Sequence, residues 1–358
     1  MRHIIGTLVV AALLMPVLAA GQEAAAEGTS AQRRVVFPIF GYNAEMGALG
    51  GAFVTHFLPQ ADPTVRGSMI DGYFIATEKN QYELNLYPDL YFGRGTYHLE
   101  AHLVPRIWRA NYYGIGSNAD YEPDPFDSRG LEVTLSLERF FAGGLFCGLE
   151  YRYQWQDIDP ENGGYLETDA PAGLYGGKVA GAGVSAGYDT RDNTNAARTG
   201  WYAKYAGLAY RDFLGTDFEF NTATLDIRKF LPVGDRDALA LAGFGRFTTG
   251  TVPFLELSTA DGVEDLRGIE RGRYMDHHIL LAQAEYRHSF NRRFGMTWFA
   301  EAAQVAPTID GFADSHVTGS AGMGFRIALA PEHRFNLRID LASVDHAFGM
   351  MIYIREAF

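Results

Sequence analysis

Apolar and polar residues alternate along most of the chain. Over residues 81–92, Tyr82, Leu84, Leu86, Leu90 and Phe92 share one parity, while Gln81, Glu83, Asn85, Asp89 and Tyr91 share the other. Residues 97–104 set Tyr97, Leu99, Ala101 and Leu103 against His98, Glu100 and His102. Residues 278–289 set Leu280, Ala282, Ala284 and Tyr286 against Gln283, Glu285 and Arg287. Residues 335–341 set Phe335, Leu337, Ile339 and Leu341 against Asn336, Arg338 and Asp340. Successive side chains of a strand point to opposite faces, so each stretch predicts a strand with one oily and one polar face. Sixteen such segments begin near residues 36, 45, 68, 81, 97, 128, 145, 178, 200, 218, 238, 277, 294, 319, 335 and 349.

A soluble sandwich would turn the oily faces inward, whereas an outer-membrane barrel turns them out to lipid. Ionisable and amide groups recur in mid-strand, as a wet lumen permits, and this favours the barrel. A one-residue slip would then put Arg287 into hydrocarbon, at about 2–4 kcal/mol near the midplane. Gap lengths give an independent sign. The longest gaps, near 109–127, 157–177, 251–276 and 306–318, all follow odd-numbered segments, while gaps such as 94–96, 140–144 and 290–293 are short. Long loops on one side and short turns on the other are the outer-membrane pattern, with both ends of the barrel in the periplasm.

Composition narrows the picture further. Residues 1–20 read as a secretory signal peptide: Arg2 and His3 precede an apolar run, and small residues follow at Ala19 and Ala20. Residues 21–34 then form a short polar periplasmic segment, and 35–358 the barrel. The net charge of −13 makes nucleic acid an improbable partner for an exported chain. The lone Cys147 excludes an internal disulfide framework. Aromatics at 14%, with 41 glycines, suit short strands, turns and aromatic girdles.

One stretch departs from the alternation. Residues 263–276 carry Arg267, Arg271 and Arg273, with Gly268 and Gly272 following two of them. A guanidinium offers five donors in a fixed fork that matches a carboxylate, and glycine allows sharp bends. From the residues alone, the stretch is either a solvated, charge-balanced loop or one that pins itself to a strand.

Four sets of motifs carry a resemblance. NYYGIGSN at 111–118, GVSAGYDTRDN at 183–193 with RTGWY at 198–202, LRGIERGRY at 266–274, and the closing RID at 338–340 with Ala357-Phe358 resemble the BamA/TamA-type outer-membrane proteins. These form the bacterial surface antigen superfamily of barrel-assembly and two-partner-secretion translocators. The resemblance implies an all-β, antiparallel transmembrane barrel of about sixteen strands, with residues 251–276 folded into the lumen. It places Arg267 and Gly268 at the lumen wall as a latch, with Glu301 as acceptor and Asp340 and Glu285 as further inward acids. Two departures stand out: Ile269 replaces the usual aromatic, and Arg355 stands where the last strand often has glycine. The periplasmic polypeptide-transport modules usual in the family would need more room than the about fifteen residues before the first strand, since a domain needs roughly 40.

Other motifs point to less. GVSAG at 183–187 matches the hydrolase pattern around Ser185, but it lies in an alternating strand rather than a strand-to-helix turn. His277 and His278, being adjacent, are expected on opposite faces, and His98 and His102 as wet lumen lining. Asp120, Glu122, Asp124 and Asp127 lack calcium-loop spacing and read as a solvated loop. The 189–198 turn offers Arg191 and Asp192 as a charge-paired cap.

The expected protein is a Gram-negative outer-membrane barrel surrounded by lipid, including lipopolysaccharide. The resemblance implies that it inserts proteins into that membrane or moves them across it. Client proteins and a separate periplasmic module would be its partners, and no cofactor, metal or enzymatic activity is expected. A weak seam would lie between the first strand near Val36 and Phe40 and the last strand over 349–358, with Tyr353 and Phe358. Its unpaired edges could template a client's strand. The rival reading is a passive pore or surface antigen that keeps the barrel without transport, and a hydrolase at Ser185 is a distant third.

Overall fold

The computed structural model describes residues 33–43, 47–60, 62, 65–118, 121–260, 266–344 and 347–358. The leader expected over 1–20, and nearly all of the polar segment expected over 21–34, lie outside them. The alternating segments become strands β1 (Arg34–Asn43), β2 (Gly47–Phe57), β3 (Met69–Thr77), β4 (Tyr82–Phe92), β5 (Tyr97–Tyr112) and β6 (Asp124–Phe140). They continue as β7 (Leu145–Pro160), β8 (Gly176–Asp189), β9 (Gly200–Tyr210), β10 (Phe220–Val233) and β11 (Asp237–Gly250). Two short pieces, β12 (Ser258–Thr259) and β13 (Met275–Asp276), pair with each other inside the long connection that follows. The sheet resumes with β14 (His278–Ser289), β15 (Phe294–Ala306), β16 (Val317–Ala330), β17 (Phe335–Val344) and β18 (Ala347–Ile354). Apart from the β12–β13 pair, these are sixteen antiparallel strands in chain order. Five of them, β5, β7, β9, β15 and β17, begin at the residue where the alternation starts.

The fold is inside out relative to a soluble protein. Leu84, Leu103, Leu135, Leu149, Val184 and Trp298 are exposed, whereas Glu138, Gln154, Gln283, Glu285, Thr297 and Asp340 are buried. Polar residues of one parity line the interior, and apolar residues of the other form the outer wall. Such a wall suits a bilayer, where each backbone group must find its partner in a neighbouring strand. Among the described residues, no helix is long and apolar enough to cross a membrane.

At the long-loop end, the connection after β11 turns into the lumen. Val252, Phe254 and Leu257 pack against Tyr112, Phe126, Tyr210 and Phe220 of the strands and against Leu166. Leu166 belongs to a single-turn helix, Tyr165–Asp169, in the loop between β7 and β8.

The two ends of the sheet meet by overlap. β1 and β18 stand at the two ends of the sixteen-strand order. Phe335 and Leu337 occupy the parity that faces outward in most strands, yet they are 0% and 2% exposed. Phe335 and Ile354 instead pack against Val35, Phe53, Phe57 and Met69, the inward side of β1–β3. The last strands therefore lap inside the first. Phe57 and Phe335 meet edge to face, with ring centroids 5.4 Å apart. Arg355 crosses the lap to Asp71, which also accepts from Thr55 at 2.6 Å.

This lap corrects one expectation. The last strand ends at Ile354, and Arg355, in the left-handed region at φ 70°, turns the chain inward. That conformation explains why glycine is usual there. An arginine in it costs about 1–2 kcal/mol, offset by its bond to Asp71 and by the Tyr87 and Phe335 rings it overlies. Phe358 consequently leaves the seam strand and the outer edge. It packs across the lumen mouth with Phe230, Ala240 and Ala197.

Val184 lies mid-strand in β8 and is 59% exposed. Val184→Arg is expected to destabilise the barrel in liposomes by about 2–4 kcal/mol, read from guanidinium midpoints, with Val184→Leu near neutral. Equal midpoints for the two variants would contradict a lipid-facing outer wall.

Candidate functional site

The long connection after β11 brings a charged loop into a barrel whose inner wall is already charged. Arg267 is 1% exposed. Its backbone N–H donates to Glu301 at 2.8 Å and its Nε to the same carboxylate at 2.7 Å, while Nη2 also reaches Glu301. Nη1 donates to Glu285 at 2.6 Å and to Asp340 at 3.0 Å. The guanidinium lies over the Phe299 ring, 3.5 Å from its centroid. Ser320 donates to the Arg267 carbonyl at 2.6 Å. One residue thus ties the loop to β14, β15, β16 and β17.

Strand parity explains why the acceptors converge. Glu285 and Glu301 sit on the inward parity of neighbouring strands, with Gln283 opposite Glu301 and donating to it at 2.9 Å. Asp340 comes from β17 and also accepts from Arg326 at 2.6 Å. A lysine could not replace this arginine, because its point charge cannot serve three carboxylates in fixed directions. Gly268 has φ +90°, and a Cβ there would press on Ala342 at 3.0 Å and Val344 at 3.3 Å. Its N–H faces the Met351 sulfur at 3.2 Å. The bend therefore lays the loop tip against β17 and β18. Ile269, in the place of the family's aromatic, packs with the cluster of Leu266, Ile279, Leu281, Ala303 and Val305.

A second anchor was not anticipated. Glu256, 2% exposed, accepts from Arg152 at 3.0 Å and from Arg246 at 3.4 Å, and Arg246 also bonds the Glu256 carbonyl at 2.8 Å. The signal for it was an acid set among Val252, Phe254 and Leu257. The loop also meets the 111–118 motif, where the Gly116 N–H donates to the Met275 carbonyl at 2.8 Å.

The remaining candidates fall elsewhere. Ser185 lies in the extended run of β8, and a Cβ at Gly183 would strike the Gly207 carbonyl, so strand packing accounts for that glycine. His98 is not wet lining. It sits buried between Asp89 at 2.9 Å and Glu138 at 3.0 Å, and Lys204 joins the same cluster through Glu138 and Glu150. His277 precedes β14 instead of lying in it, so both it and His278 reach Thr248 rather than opposite faces. In the 189–198 turn, Arg191 pairs with Asp189 at 2.8 Å, while Asp192 caps Arg198 and Thr199 and accepts from Arg334. Asp120 lies outside the described residues, and Asp124 accepts from the Leu166 N–H at 2.7 Å.

These features together define a class: an outer-membrane β-barrel whose lumen holds an inward-folded loop pinned by an arginine. Residues 77–345 match the Omp85 superfamily domain, and the chain belongs to that superfamily. It is accordingly an outer-membrane protein. No curated protein matches the sequence. Among solved structures, the barrel is similar to BamA from Haemophilus ducreyi lacking POTRA domains 1–3, at 15% identity and a TM-score of 0.58, covering 90% of this chain and 70% of that one. It is similar to CdiB from Acinetobacter baumannii at 10% identity and a TM-score of 0.57, covering 91% and 60% of the two chains. CdiB from Escherichia coli is similar at 10% identity and a TM-score of 0.55, with 92% and 63% covered. The chain thus spans less than two thirds of either CdiB. At these identities the likeness describes the shared fold.

Arg267→Met is expected to cost about 3–5 kcal/mol, because it leaves buried Glu301 without its cation, whereas Glu285 keeps Arg287. Arg267→Lys should recover little of that. The measurement is the guanidinium midpoint of the refolded barrel, together with the temperature at which its compact band is lost on gels. Unchanged values for both variants would show that the cluster is not what fixes the loop.

Proposed function

We propose that this barrel helps proteins insert into or cross the outer membrane, using the lapped seam between β1 and β18 as its working edge. It performs no covalent chemistry of its own. The observation that carries the reading is the seam, where the last strands lap inside β1–β3 on the packing of Phe335 and Ile354 and on the Arg355–Asp71 pair, beside a loop folded into the lumen. An unpaired strand edge seeks hydrogen-bond partners, and an incoming extended segment can supply them.

Arg267 and Gly268 act in this reading as the latch that holds the loop tip against β17 and β18 while the seam is shut. Tyr353 belongs to the seam strand, where it stacks with Arg338, the guanidinium lying 4.8 Å from the ring centroid. Lipid surrounds the outer wall, and clients and a separate periplasmic module are the macromolecular partners. The same loop weighs against a passive pore, because Phe254, Leu257 and the Arg267 cluster fill part of the lumen.

Phe40 in β1 and Phe348 in β18 are outward-facing and exposed. With benzoylphenylalanine at either position, the reconstituted chain is expected to cross-link to an unfolded outer-membrane client and to speed that client's insertion into liposomes. Steady ion conductance in planar bilayers, with no cross-link and no effect on the client, would establish the pore reading instead.

A further inference from the structure

The short-turn end of the lumen holds a cavity of about 660 Å3. Seven of the residues lining it are arginines, against one carboxylate, Glu356. In a chain of net charge −13 the lining is positive, although Arg287, Arg326 and Arg334 are paired with Glu285, Asp340 and Asp192 behind it. Two of the arginines are deep. Arg287, 9% exposed, donates through Nε to Glu285 at 2.7 Å and through Nη2 to the Phe358 carbonyl at 2.8 Å, but its Nη1 finds no acceptor in the protein. Arg326, 6% exposed, donates through Nε to Glu356 at 2.7 Å and through Nη1 to Asp340 at 2.6 Å. Its Nη2 makes no hydrogen bond, although Glu285 lies 3.8 Å away. Nearer the mouth, the Arg198 Nε is likewise buried without an acceptor, and Arg292 and Arg293 stand exposed at the rim. So many guanidinium groups around one cavity set up a positive field that favours an anionic guest.

The chain itself shows which acceptors fit. Past the Arg355 bend, the Glu356 carboxylate takes hydrogen bonds from Arg326 and Asn336. Two residues on, the Phe358 ring lies under Arg287, 5.1 Å from the guanidinium, in a pocket of Phe230, Ala197 and Ala240. A carboxylate followed by an apolar side chain is already docked on part of the site.

We infer that this cavity is a docking site for an acidic peptide segment of a periplasmic protein. The segment enters beside Glu356–Phe358, and its carboxylates meet the exposed Arg292 and Arg293 at the rim, in the positive field of the other arginines that line the cavity. Two observations select a peptide over a lipid headgroup. The cavity lies inside the ring of strands, whereas lipid meets the outer wall. It also opens among the short turns, the side that the loop parity assigns to the periplasm. Guanidinium forks suit carboxylates two at a time, and a spread of them suits several carboxylates along one chain. The inference requires only a folded barrel with a water-filled mouth and does not rest on transport activity.

The test is fluorescence anisotropy of fluorescein-labelled octaglutamate with the purified full chain in detergent, with octalysine as control. Saturable binding of octaglutamate alone is expected, weakening about tenfold at high salt or in R292E/R293E, because rim charges act through screened attraction. Those side chains are exposed, so the variant keeps its fold, which its heat-modifiable migration checks. Arg287→Gln should weaken binding as well, and bound octaglutamate should protect a Ser289→Cys thiol in the cavity from maleimide. The inference is overturned if the unmodified chain binds no octaglutamate, or if R292E/R293E binds as tightly as the unmodified chain. Loss of all binding to millimolar inorganic phosphate would overturn it too, as the mark of a small-anion site.

Discussion

A guanidinium shut away from water must be answered by acids, and Arg267 organises this barrel around that requirement. Its donors reach carboxylates on three strands, and its carbonyl is held from a fourth. None of those strands could shift register by one residue without turning its acid or hydroxyl to the lipid side. The cluster therefore couples loop position to strand register. Its value is uniqueness of arrangement more than net stability, because desolvation offsets much of the attraction.

The seam lies directly beside this cluster. Asp340, which Arg267 holds, pairs in register with Met351, and Met351 faces the Gly268 N–H. Gly349 lies so close to Gly268 that a Cβ on it would come within 3.3 Å of the Gly268 Cα. Loop tip and last strand thus share one contact surface. Below it, the lap of β17 and β18 inside β1–β3 carries ring packing and the Arg355–Asp71 bond.

Much of this was legible in particular residues. The alternation in 81–92 and 278–289 assigned faces that the burial of Glu83, Glu285 and Arg287 matches. The same parity put Glu301 inward, because Trp298 and Ala300 flank it on the other face. The spacing of long and short gaps separated the two mouths. Less legible were Glu256 with Arg152 and Arg246, and His98 with Asp89, Glu138 and Lys204. Each cluster unites residues from strands or loops far apart in sequence, and parity says only that they face inward, not which of them meet.

What the sequence determined by itself is the set of faces: a period of two, kept over sixteen segments, suffices to say which side chains see lipid and which see the lumen. It also determined the chemistry available to the 263–276 loop, since three arginines and two glycines restrict what that loop can bind and how sharply it bends. Only the tertiary structure decided how the sheet closes. Phe335 carries the outward parity and would be assigned to lipid, yet the curl of the last strands buries it under β1–β3. Phe358 would likewise be assigned to the membrane edge, until a left-handed turn at Arg355 carries it across the mouth. Periodicity is a local property of the backbone, whereas closure depends on the accumulated twist and curl of all sixteen strands, which no single segment encodes.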